Sequence, residues 1–493
     1  MAKFDYDIAI IGGGAAGLSV AAGAARLGAR TLLIEREQHL GGDCLHYGCV
    51  PSKTLISTAR ARHLMAQAAR FGLPAVDLPP VDFARVRERI QAVINDIRGH
   101  DSIERFCGLG AAVRFGPAIF ADEHTAEVDG RRVSAAKWVI ATGSRAQVPP
   151  IPGLAEIGHL TNREIFALDR LPGRLLILGG GPIAVELAQA FQRLGSQVDV
   201  IQRGERILSR DDADMAAEVQ RGLESEGVRF HLGAAMREVR GENGQKQVVF
   251  AQNGQEQILS GDALLVALGR TANTDGLGLE NAGVAVSDTG GKGINVDTRL
   301  RTSQKHIFAC GDVTGAWQFT HAAGYEAGIV VANAVFRLPR KADYTWLPWC
   351  TYTEPGLAHI GLNETMARKA GLTYSIIEER FADNDRARTE GETEGKLKLL
   401  LGADGRPLGV QIAGHGVGEL LGEWAAVLSG KVSLTTLAAI THPYPTRSET
   451  AKAVAGRIVA EKIFSPTVQR VLHYVFGLKG RACQPVEPPT ATK

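Results

Sequence analysis

The sequence predicts an α/β fold with two Rossmann-like domains, and two observations support this prediction. Near the N-terminus a β-rich run, a glycine turn, an alanine-rich helical segment and a second strand follow one another, and the same succession returns from residue 174. With 493 residues the chain exceeds the size at which one hydrophobic core usually stops growing, so we expect two to four domains.

The first βαβ unit begins with the run FDYDIAII at residues 4–11 and carries a GxGxxG fingerprint at Gly12, Gly14 and Gly17. Glycines at these places let the backbone turn tightly and approach a pyrophosphate, whose charge the N-terminus of the following helix stabilises. The second strand, TLLIE, ends at Glu35, where a carboxylate can accept hydrogen bonds from both hydroxyls of a ribose. A bare fingerprint could be a simple turn, but its strand, helix and acid in register predict a dinucleotide site.

The second unit starts with the strand RLLIL at residues 174–178. Its turn residues are Gly179, Gly181 and Ala184. The acid expected after its second strand is replaced by Gln202, which Arg203 and Arg206 follow. An acid there would repel a 2′-phosphate, whereas arginines bind one, so we expect NADPH rather than NADH. If these arginines are only solvated surface charges, the protein would use both nucleotides equally.

Charge and cysteine usage argue against several classes of partner. Basic residues exceed acidic ones by 55 − 53 = 2 and are scattered, so we expect small-molecule ligands and neither a nucleic-acid nor a membrane partner. The apolar stretch Ile8–Ala25 lacks a basic leader and is interrupted by glycines, which argues against a signal or anchor. Six cysteines are too few for a secreted disulfide scaffold, and we expect a cytoplasmic protein.

Cys44 and Cys49 are the one close pair of cysteines in the sequence. Pro51 suits the first turn of a helix, which would place Cys49 at the helix N-terminus, where the dipole favours a thiolate. Half of a zinc site and two inert thiols are the alternatives, but no second CxxC or histidine pair completes a zinc set, so we predict no metal site. Three further cysteines are expected to be small core residues: Cys107, Cys310 and Cys350.

With this cysteine segment the sequence resembles the class I pyridine nucleotide–disulfide oxidoreductases, over roughly residues 4 to 465. The other segments that resemble family motifs are Ala141–Gly143, Ala267–Arg270, Ala309–Asp312 and Trp349–Gly361. The resemblance implies FAD and NADPH (or NADH) as cofactors, a redox-active Cys44–Cys49 disulfide, and a homodimer. It also implies the complete fold, α/β with two Rossmann-like dinucleotide-binding domains plus a C-terminal α+β dimerisation domain.

The implied domains are an FAD-binding domain in two parts, a nucleotide-binding domain inserted between them, and an interface domain with a C-terminal extension. Their expected ranges are 1–150 and 271–345 for FAD, 151–270 for NAD(P), 346–465 for the dimer interface, and 466–493 for a C-terminal helix and tail. Apolar residues at helical spacing between Pro466 and Leu478 predict that this helix packs on the interface domain.

The resemblance also assigns cofactor contacts. Those implied for FAD are Gly12, Gly14, Gly17, Glu35, Gly42, Ala141, Thr142, Gly143, Gly311 and Asp312, the last on the ribityl chain. Those implied for the pyridine nucleotide are Gly179, Gly181, Ala184, Arg203, Arg206 and Gly269.

The implied catalytic residues divide into two groups. Cys49 faces the flavin and Cys44 exchanges with the substrate, as the more exposed sulfur should. Lys53 and Glu186 form an ion pair near the flavin N5, although Glu186 could also be an ordinary helix-face acid. Two further residues, supplied by the partner chain, complete the site: Tyr444 and Glu449.

The C-terminal motif THPYPTRSE departs from the members that act on small dithiols. They carry a histidine where this chain has Tyr444, and His442 lies at a neighbouring position. A tyrosine, with a pKa near 10, is a poor proton donor to a thiolate at neutral pH. A tyrosine in this motif resembles mercuric reductases and soluble transhydrogenases. Mercuric reductases end in a vicinal cysteine pair, however, and this chain offers only Cys483. Relatives usually carry a small residue at the position of Asp43. The sequence provides no explanation for the acid in this chain.

Three functions follow from these patterns. The leading one is a mercuric-reductase-like NAD(P)H oxidoreductase that reduces a thiol-reactive acceptor. The second is a dihydrolipoamide dehydrogenase-type dithiol oxidoreductase that uses His442 or Tyr444 as its base. The third is a redox-sensing flavoprotein subunit.

Overall fold

The computed structural model describes residues 4–287, 291–480 and 482; Cys483 lies outside them. The N-terminal part contains a parallel sheet with helices packed on it. Its elements are β1 (Tyr6–Ile11), α1 (Ala15–Arg26), β2 (Thr31–Glu35), α2 (Gly42–His46), α3 (Cys49–Ala66), α4 (Phe83–Arg98), α5 (Ile103–Gly108), β3 (Ala111–Phe115), β4 (Ala118–Phe120), β5 (Thr125–Val128), β6 (Arg131–Ile140) and β7 (Ser144–Ala146).

The first sheet has the strand order β3-β2-β1-β6, all parallel. The apolar runs of β1 and β2 are buried on both faces, as strands of a covered parallel sheet must be. The N-terminal half of β6 continues into an antiparallel extension formed by β5 and β4. This arrangement brings the glycine turn after β1 to the carboxyl edge of the sheet, where α1 begins.

The middle of the chain forms the second βαβ unit and a smaller antiparallel sheet. Its elements are β8 (Arg174–Leu178), α6 (Pro182–Leu194), β9 (Gln197–Ile201), α7 (Ala213–Ser225), β10 (Arg229–His231), β11 (Ala235–Glu242), β12 (Gln245–Gln252), β13 (Gln255–Gly261), β14 (Ala263–Val266) and β15 (Arg270–Ala272). The parallel order is β10-β9-β8-β14, and β11, β12 and β13 pair antiparallel. Both predicted βαβ units are therefore present.

The next segment returns to the first sheet. It contains β16 (Ile307–Ala309) and α8 (Thr320–Ala334). β16 lies parallel to the C-terminal half of β6, with Ile307 opposite Trp138, and α8 packs on α1. β7 and β15 pair antiparallel where the chain leaves the first sheet and comes back to it. Domain boundaries near residues 150, 270 and 346 stay predictions.

The C-terminal part is an α+β layer. Its elements are β17 (Trp349–Thr351), β18 (Gly356–Gly361), α9 (Glu364–Lys369), β19 (Tyr374–Arg380), α10 (Asp385–Glu390), β20 (Lys396–Gly402), β21 (Pro407–Gly414), α11 (Val417–Leu428), α12 (Leu434–Ala439), α13 (Glu449–Ile463) and α14 (Pro466–Phe476). The five strands pair antiparallel in the order β17-β18-β21-β20-β19. The predicted fold class is confirmed.

A buried charge cluster joins this layer to the second βαβ unit. The ammonium group of Lys398, on β20, lies 3.1 Å from Asp212, 2.6 Å from Asp214 and 2.6 Å from Glu364. Its side chain is almost fully buried, and a buried ammonium group requires such partners. The cluster therefore fixes the start of α7 against the C-terminal sheet.

The predicted C-terminal helix forms as α14, but the expected packing is only partial. None of its side chains is buried; Val468 and Leu472 are half-buried, and Tyr474 is 90% exposed. Among residues 4–287, 291–480 and 482, no helix combines the length and the apolar character needed to cross a membrane.

Candidate active site

A single cavity of about 1190 Å³ brings together the two glycine turns and the cysteine pair. The predicted site residues that line it are Gly12, Gly14, Glu35, Gly42, Cys44, Cys49, Lys53, Ala141, Thr142, Gly143, Gly181, Glu186, Gly269, Gly311 and Asp312. Those that do not line it are Gly17, Gly179, Ala184, Arg203, Arg206, Tyr444 and Glu449. The sequence fingerprints therefore converge on one site, although they are far apart in the chain.

The first glycine turn is shaped for a phosphate. Gly12 has φ +110°, and a Cβ there would lie 2.3 Å from the carbonyl oxygen of Ala141. A Cβ on Gly42 would lie 2.7 Å from the Cα of Gly14, so side chains are excluded where these segments meet. Gly14 caps α1 without a side-chain hydrogen bond, which leaves backbone N–H groups at the cavity wall for an anion. This cradle fits the pyrophosphate of a dinucleotide such as FAD.

Glu35 holds the glycine turn in place. Its Oε2 accepts a hydrogen bond of 2.7 Å from the backbone N–H of Gly13, and its Oε1 accepts one of 2.8 Å from Glu37. The residue is buried but still lines the cavity. Each carboxylate oxygen has a second lone pair, so the expected ribose contact stays compatible with these bonds.

Gly311 and Asp312 also line the cavity, supported by a residue that the sequence reasoning missed. Fully buried Glu326, on α8, accepts 2.6 Å hydrogen bonds from the N–H of Gly311 and the hydroxyl of Tyr344. Ser144 donates a 2.5 Å hydrogen bond to Asp312. Burial raises the pKa of Glu326 despite these donors. The single carboxylate in a helix rich in alanine and valine was the available signal.

Cys44 lies on α2, and Cys49 is the first residue of α3, as the proline predicted. Both are thiols in this structure and hydrogen-bond to each other. The hydroxyl of Thr320, the first residue of α8, lies 3.1 Å from the Cys44 sulfur and 3.4 Å from the Cys49 sulfur. Thr320 was not identified from the sequence, because nothing local relates it to a segment some 270 residues earlier.

The two thiols differ in acidity. The hydrogen bond from Cys44 lowers the pKa of Cys49, and the Thr320 hydroxyl and the charge of Lys53 lower it further, against the opposing effect of burial. The hydrogen bond to Cys49 and burial raise the pKa of Cys44. The structure therefore favours a thiolate on Cys49 and a thiol on Cys44, in agreement with the helix-dipole argument.

The exposure of the two cysteine residues in one chain does not follow the roles expected for them. Cys44 is half-buried, whereas Cys49 is exposed and opens onto the cavity. Exposure in one chain therefore does not identify the exchange thiol. Of the remaining cysteines, Cys310 is buried as expected, and Cys350 is half-buried, packed against the core of the C-terminal layer and lining the cavity. Cys107 is exposed, so the core assignment was wrong for that residue.

Lys53 and Glu186 form the expected ion pair at 2.6 Å. The Glu186 side chain is 7% exposed, and its other oxygen accepts a 2.9 Å hydrogen bond from the backbone N–H of Tyr352. The Lys53 ammonium group also lies 4.5 Å from the centre of the Tyr352 ring. Glu186 is thus not an ordinary exposed helix acid, because two partners fix its carboxylate.

The two arginines after the second unit are placed differently. Arg203 is exposed and makes no hydrogen bond or ion pair within the described part of the chain. Arg206 donates to the carbonyl oxygens of Asp211 at 2.8 Å and Ser209 at 2.9 Å, so its guanidinium is already used to hold a loop. Gln202 lies against Gly180, where the ribose end of a nucleotide is expected.

The C-terminal motif lies away from the cavity of its own chain. Tyr444 is 71% exposed and donates a 3.0 Å hydrogen bond to Asp385, which raises its pKa. Glu449 starts α13 and accepts a 3.1 Å hydrogen bond from the N–H of Thr446. His442 lies 2.8 Å from Glu423 and its side chain is buried. None of these residues reaches the cysteine pair within one chain.

Two nucleotide-binding turns and a thiol pair in one cavity define a class, the disulfide oxidoreductases that use two dinucleotides. Comparison with known proteins agrees. The family model described as pyridine nucleotide-disulphide oxidoreductase matches residues 6–327, and the dimerisation-domain model of the same family matches residues 347–455. The chain belongs to this family, whose members are FAD-dependent enzymes that use NAD(P)H. The matched dimerisation domain supports a homodimer.

Individual relatives span several activities. The chain is 35% identical over 456 residues to a mercuric reductase of Staphylococcus aureus, covering 92% of this chain and 82% of that protein. It is 34% identical over 451 residues to a dihydrolipoyl dehydrogenase of Bacillus subtilis (strain 168), covering 90% and 96%. Among solved structures it is similar to the Cu(II) complex of the HOCl-induced flavoprotein disulfide reductase RclA from Escherichia coli, with a TM-score of 0.82, 30% identity and 92% and 99% coverage.

Proposed function

We propose that this enzyme uses NADPH to reduce a thiol-reactive acceptor through the Cys44–Cys49 pair, in the manner of a mercuric reductase. The observation that carries the proposal is the position of both sulfurs, each within hydrogen-bonding distance of the same Thr320 hydroxyl, in the cavity that the two glycine turns line. A structural thiol pair would have no need of such a cavity.

FAD would be held by the first glycine turn and the Gly311–Asp312 segment. When bound, it supplies the redox group that carries two electrons from NADPH to the disulfide. Reduction breaks the S–S bond, and the hydride's proton and electron pair leave one thiol and one thiolate. The lowered pKa of Cys49 places the negative charge there, beside the ammonium group of Lys53. Cys44 keeps the proton and is left to meet the acceptor.

The acceptor then takes two electrons, the S–S bond re-forms, and the Cys44 proton leaves to solvent. Hg(II) needs no proton from the protein, whereas a disulfide acceptor must have its leaving thiolate protonated. Asp385 raises the pKa of Tyr444, which makes it a weaker proton donor, and the His442 side chain is buried against Glu423, where a leaving thiolate does not reach it. These contacts favour a metal-ion or similarly electrophilic acceptor over lipoamide.

We further propose that Tyr444 and Glu449 act in the cavity of the partner chain. Both belong to the matched dimerisation domain and do not line the cavity of their own chain. The exposed Tyr444 ring is available for such a contact. A monomer would then lack a complete acceptor site.

NADPH is proposed over NADH because of Arg203. Its guanidinium is exposed and free of intramolecular partners in the described structure, so it can bind a 2′-phosphate without breaking other bonds. Arg206 contributes less than the sequence suggested, since two carbonyl oxygens already occupy it. Cytoplasmic location stays a prediction from cysteine usage.

An anaerobic titration of the FAD-loaded enzyme with NADPH tests the thiol pair. We expect a long-wavelength absorbance band after two electrons, from a thiolate beside the flavin, and rapid turnover with Hg(II) but slow turnover with lipoamide, oxidised glutathione and a quinone. Cys44→Ser should abolish Hg(II) turnover. Cys107→Ser, which removes an exposed cysteine outside the cavity, is the matched control and should change nothing.

Two outcomes would contradict the proposal. Full Hg(II) turnover by Cys44→Ser would show that Cys44 is not the exchange thiol. Lipoamide turnover far above that with Hg(II) would instead assign the enzyme to the dihydrolipoyl dehydrogenase type.

A further inference from the structure

Asp43 precedes the exchange cysteine in the chain and lines the same cavity. Its Oδ2 accepts a 2.8 Å hydrogen bond from the guanidinium of Arg270, and its Oδ1 accepts one of 3.1 Å from the amide of Asn162. Asn162 also donates to the carbonyl oxygen of Tyr47 at 3.0 Å. The redox segment is thereby attached to two points of the middle part of the chain.

Arg270 lies between two carboxylates. Its Nε donates to the hydroxyl of Ser144 at 2.7 Å and lies 3.7 Å from Asp312, while its Nη2 binds Asp43. The Arg270 side chain is only 13% exposed, and those of Asp43 and Asp312 are less than one-third exposed, so water screens these charges weakly. One cation and two carboxylates give these three side chains a net charge of one negative unit on the wall of the cavity that also holds Cys44.

This excess charge opposes reduction of the site. Reduction of the disulfide leaves a thiolate, so negative charge develops in the cavity where Asp43, Arg270 and Asp312 already lie. The charge of Asp43 also adds to burial in raising the pKa of Asp312. Removing the Asp43 charge would leave Arg270 balanced by Asp312 alone and would favour the reduced state.

We propose that Asp43 is a positioning residue that, through Arg270, sets the reduction potential of the Cys44–Cys49 centre and holds it low. The inference rests on the proposed redox function of the cysteine pair. It explains why a charged residue can occupy a position beside the reactive thiol, since Arg270 and Asn162 satisfy both of its oxygens.

The test measures the two-electron equilibrium of the FAD-loaded protein against a dye or nucleotide couple of known potential. Asp43→Asn retains the shape of the side chain and one of its two acceptor positions, so that its oxygen can still accept from Arg270, but it removes the charge. We expect its equilibrium constant for reduction to rise about tenfold, equivalent to about 30 mV for a two-electron couple. Asp43→Glu should remain within about threefold of the wild type, because it can keep the ion pair.

Arg270→Gln should shift the equilibrium in the opposite direction, by about tenfold, and Asp43→Asn combined with Arg270→Gln should return close to the wild-type value. The control is Asp297→Asn, which removes the 2.6 Å ion pair to Arg301 outside the cavity and should not move the potential. If Arg270→Gln fails to fold, the comparison of Asp43→Asn with Asp43→Glu still decides the question.

An unchanged potential in Asp43→Asn, with the wild-type protein showing a two-electron thiol couple, would overturn this inference alone. A wild-type protein without any such couple would overturn the proposed function and this inference together. A merely structural role for Asp43 would lower thermal stability without the opposite shifts of the two single variants.

Discussion

We predict that Lys53 and Glu186, which form an ion pair, have opposite effects on the pKa of Cys49. Lys53 follows Cys49 by four positions on α3, and its positive charge lowers the pKa of the Cys49 thiol, whereas the charge of Glu186 raises it. Lys53→Met should therefore raise the pKa of Cys49, and Glu186→Gln should lower it. Loss of a merely structural contact would shift both in one direction.

The magnitude follows from the helix spacing. Residues four apart on a helix lie about 6 Å from each other at Cβ. A unit charge at about 6 Å is worth about 3 kcal/mol at an effective dielectric constant of about 20, and under 1 kcal/mol in water. Because the Lys53 side chain is 37% exposed, we take an intermediate value of about 1.4 kcal/mol, or about one pH unit. The effect of Glu186→Gln should be about half a unit, since Lys53 separates its carboxylate from the thiol.

The assay is alkylation of the reduced enzyme with iodoacetamide between pH 5 and 10, with Cys49 followed by peptide mass spectrometry. Its rate follows the thiolate fraction, so the midpoint reports the pKa. Arg62→Gln, on the same helix but more than three turns from Cys49, is the control and should leave the midpoint unchanged. The reasoning is wrong if Lys53→Met leaves the midpoint in place or lowers it.

The lowered pKa of Cys49 also predicts how the free energy of unfolding of the reduced enzyme depends on pH. The folded pKa of Cys49 is lower than that of an unfolded cysteine. Its thiolate therefore stabilises the reduced fold fully above the unfolded pKa, and this contribution is lost as the pH falls through the folded pKa. Urea midpoints of reduced enzyme should accordingly fall between pH 9 and 6 more in the wild type than in Cys49→Ser.

Two further predictions concern the nucleotide and the dimer. Arg203→Ala should reduce kcat/KM for NADPH about tenfold, as expected for the loss of one charged contact of about 1.4 kcal/mol, and should leave kcat/KM for NADH unchanged. Arg206→Ala should affect both nucleotides alike. Equal effects of Arg203→Ala on the two nucleotides would contradict the proposed preference for NADPH. If Tyr444 completes the acceptor site of the partner chain, Tyr444→Ala should be inactive, like Cys44→Ser. Mixing the two variants through unfolding and refolding should then recover about a quarter of wild-type turnover, because half of the dimers are mixed and each has one intact site. No recovery would mean that both residues act within one chain.

The sequence by itself determined the local units of this protein. Gly12 and Gly14 allow the chain to turn from a strand into a helix around a phosphate. Pro51 marks the first turn of the helix that Cys49 starts. These are properties of short stretches of backbone, so their residue types and spacing are sufficient to predict them. The family resemblance added the pairing of Lys53 with Glu186, which no spacing rule provides.

Only the tertiary structure decided which distant groups surround the thiol pair. Thr320 reaches both sulfurs, Arg270 binds Asp43, and Tyr444 lies away from the cavity of its own chain. Each contact depends on how the two parallel sheets and α8 pack together. Packing of this kind joins residues that are far apart in the sequence, and no periodic pattern in the sequence marks them. The engagement of Arg206 by two backbone carbonyls is a further result of that packing, and it limits a nucleotide contact that was expected from residue type.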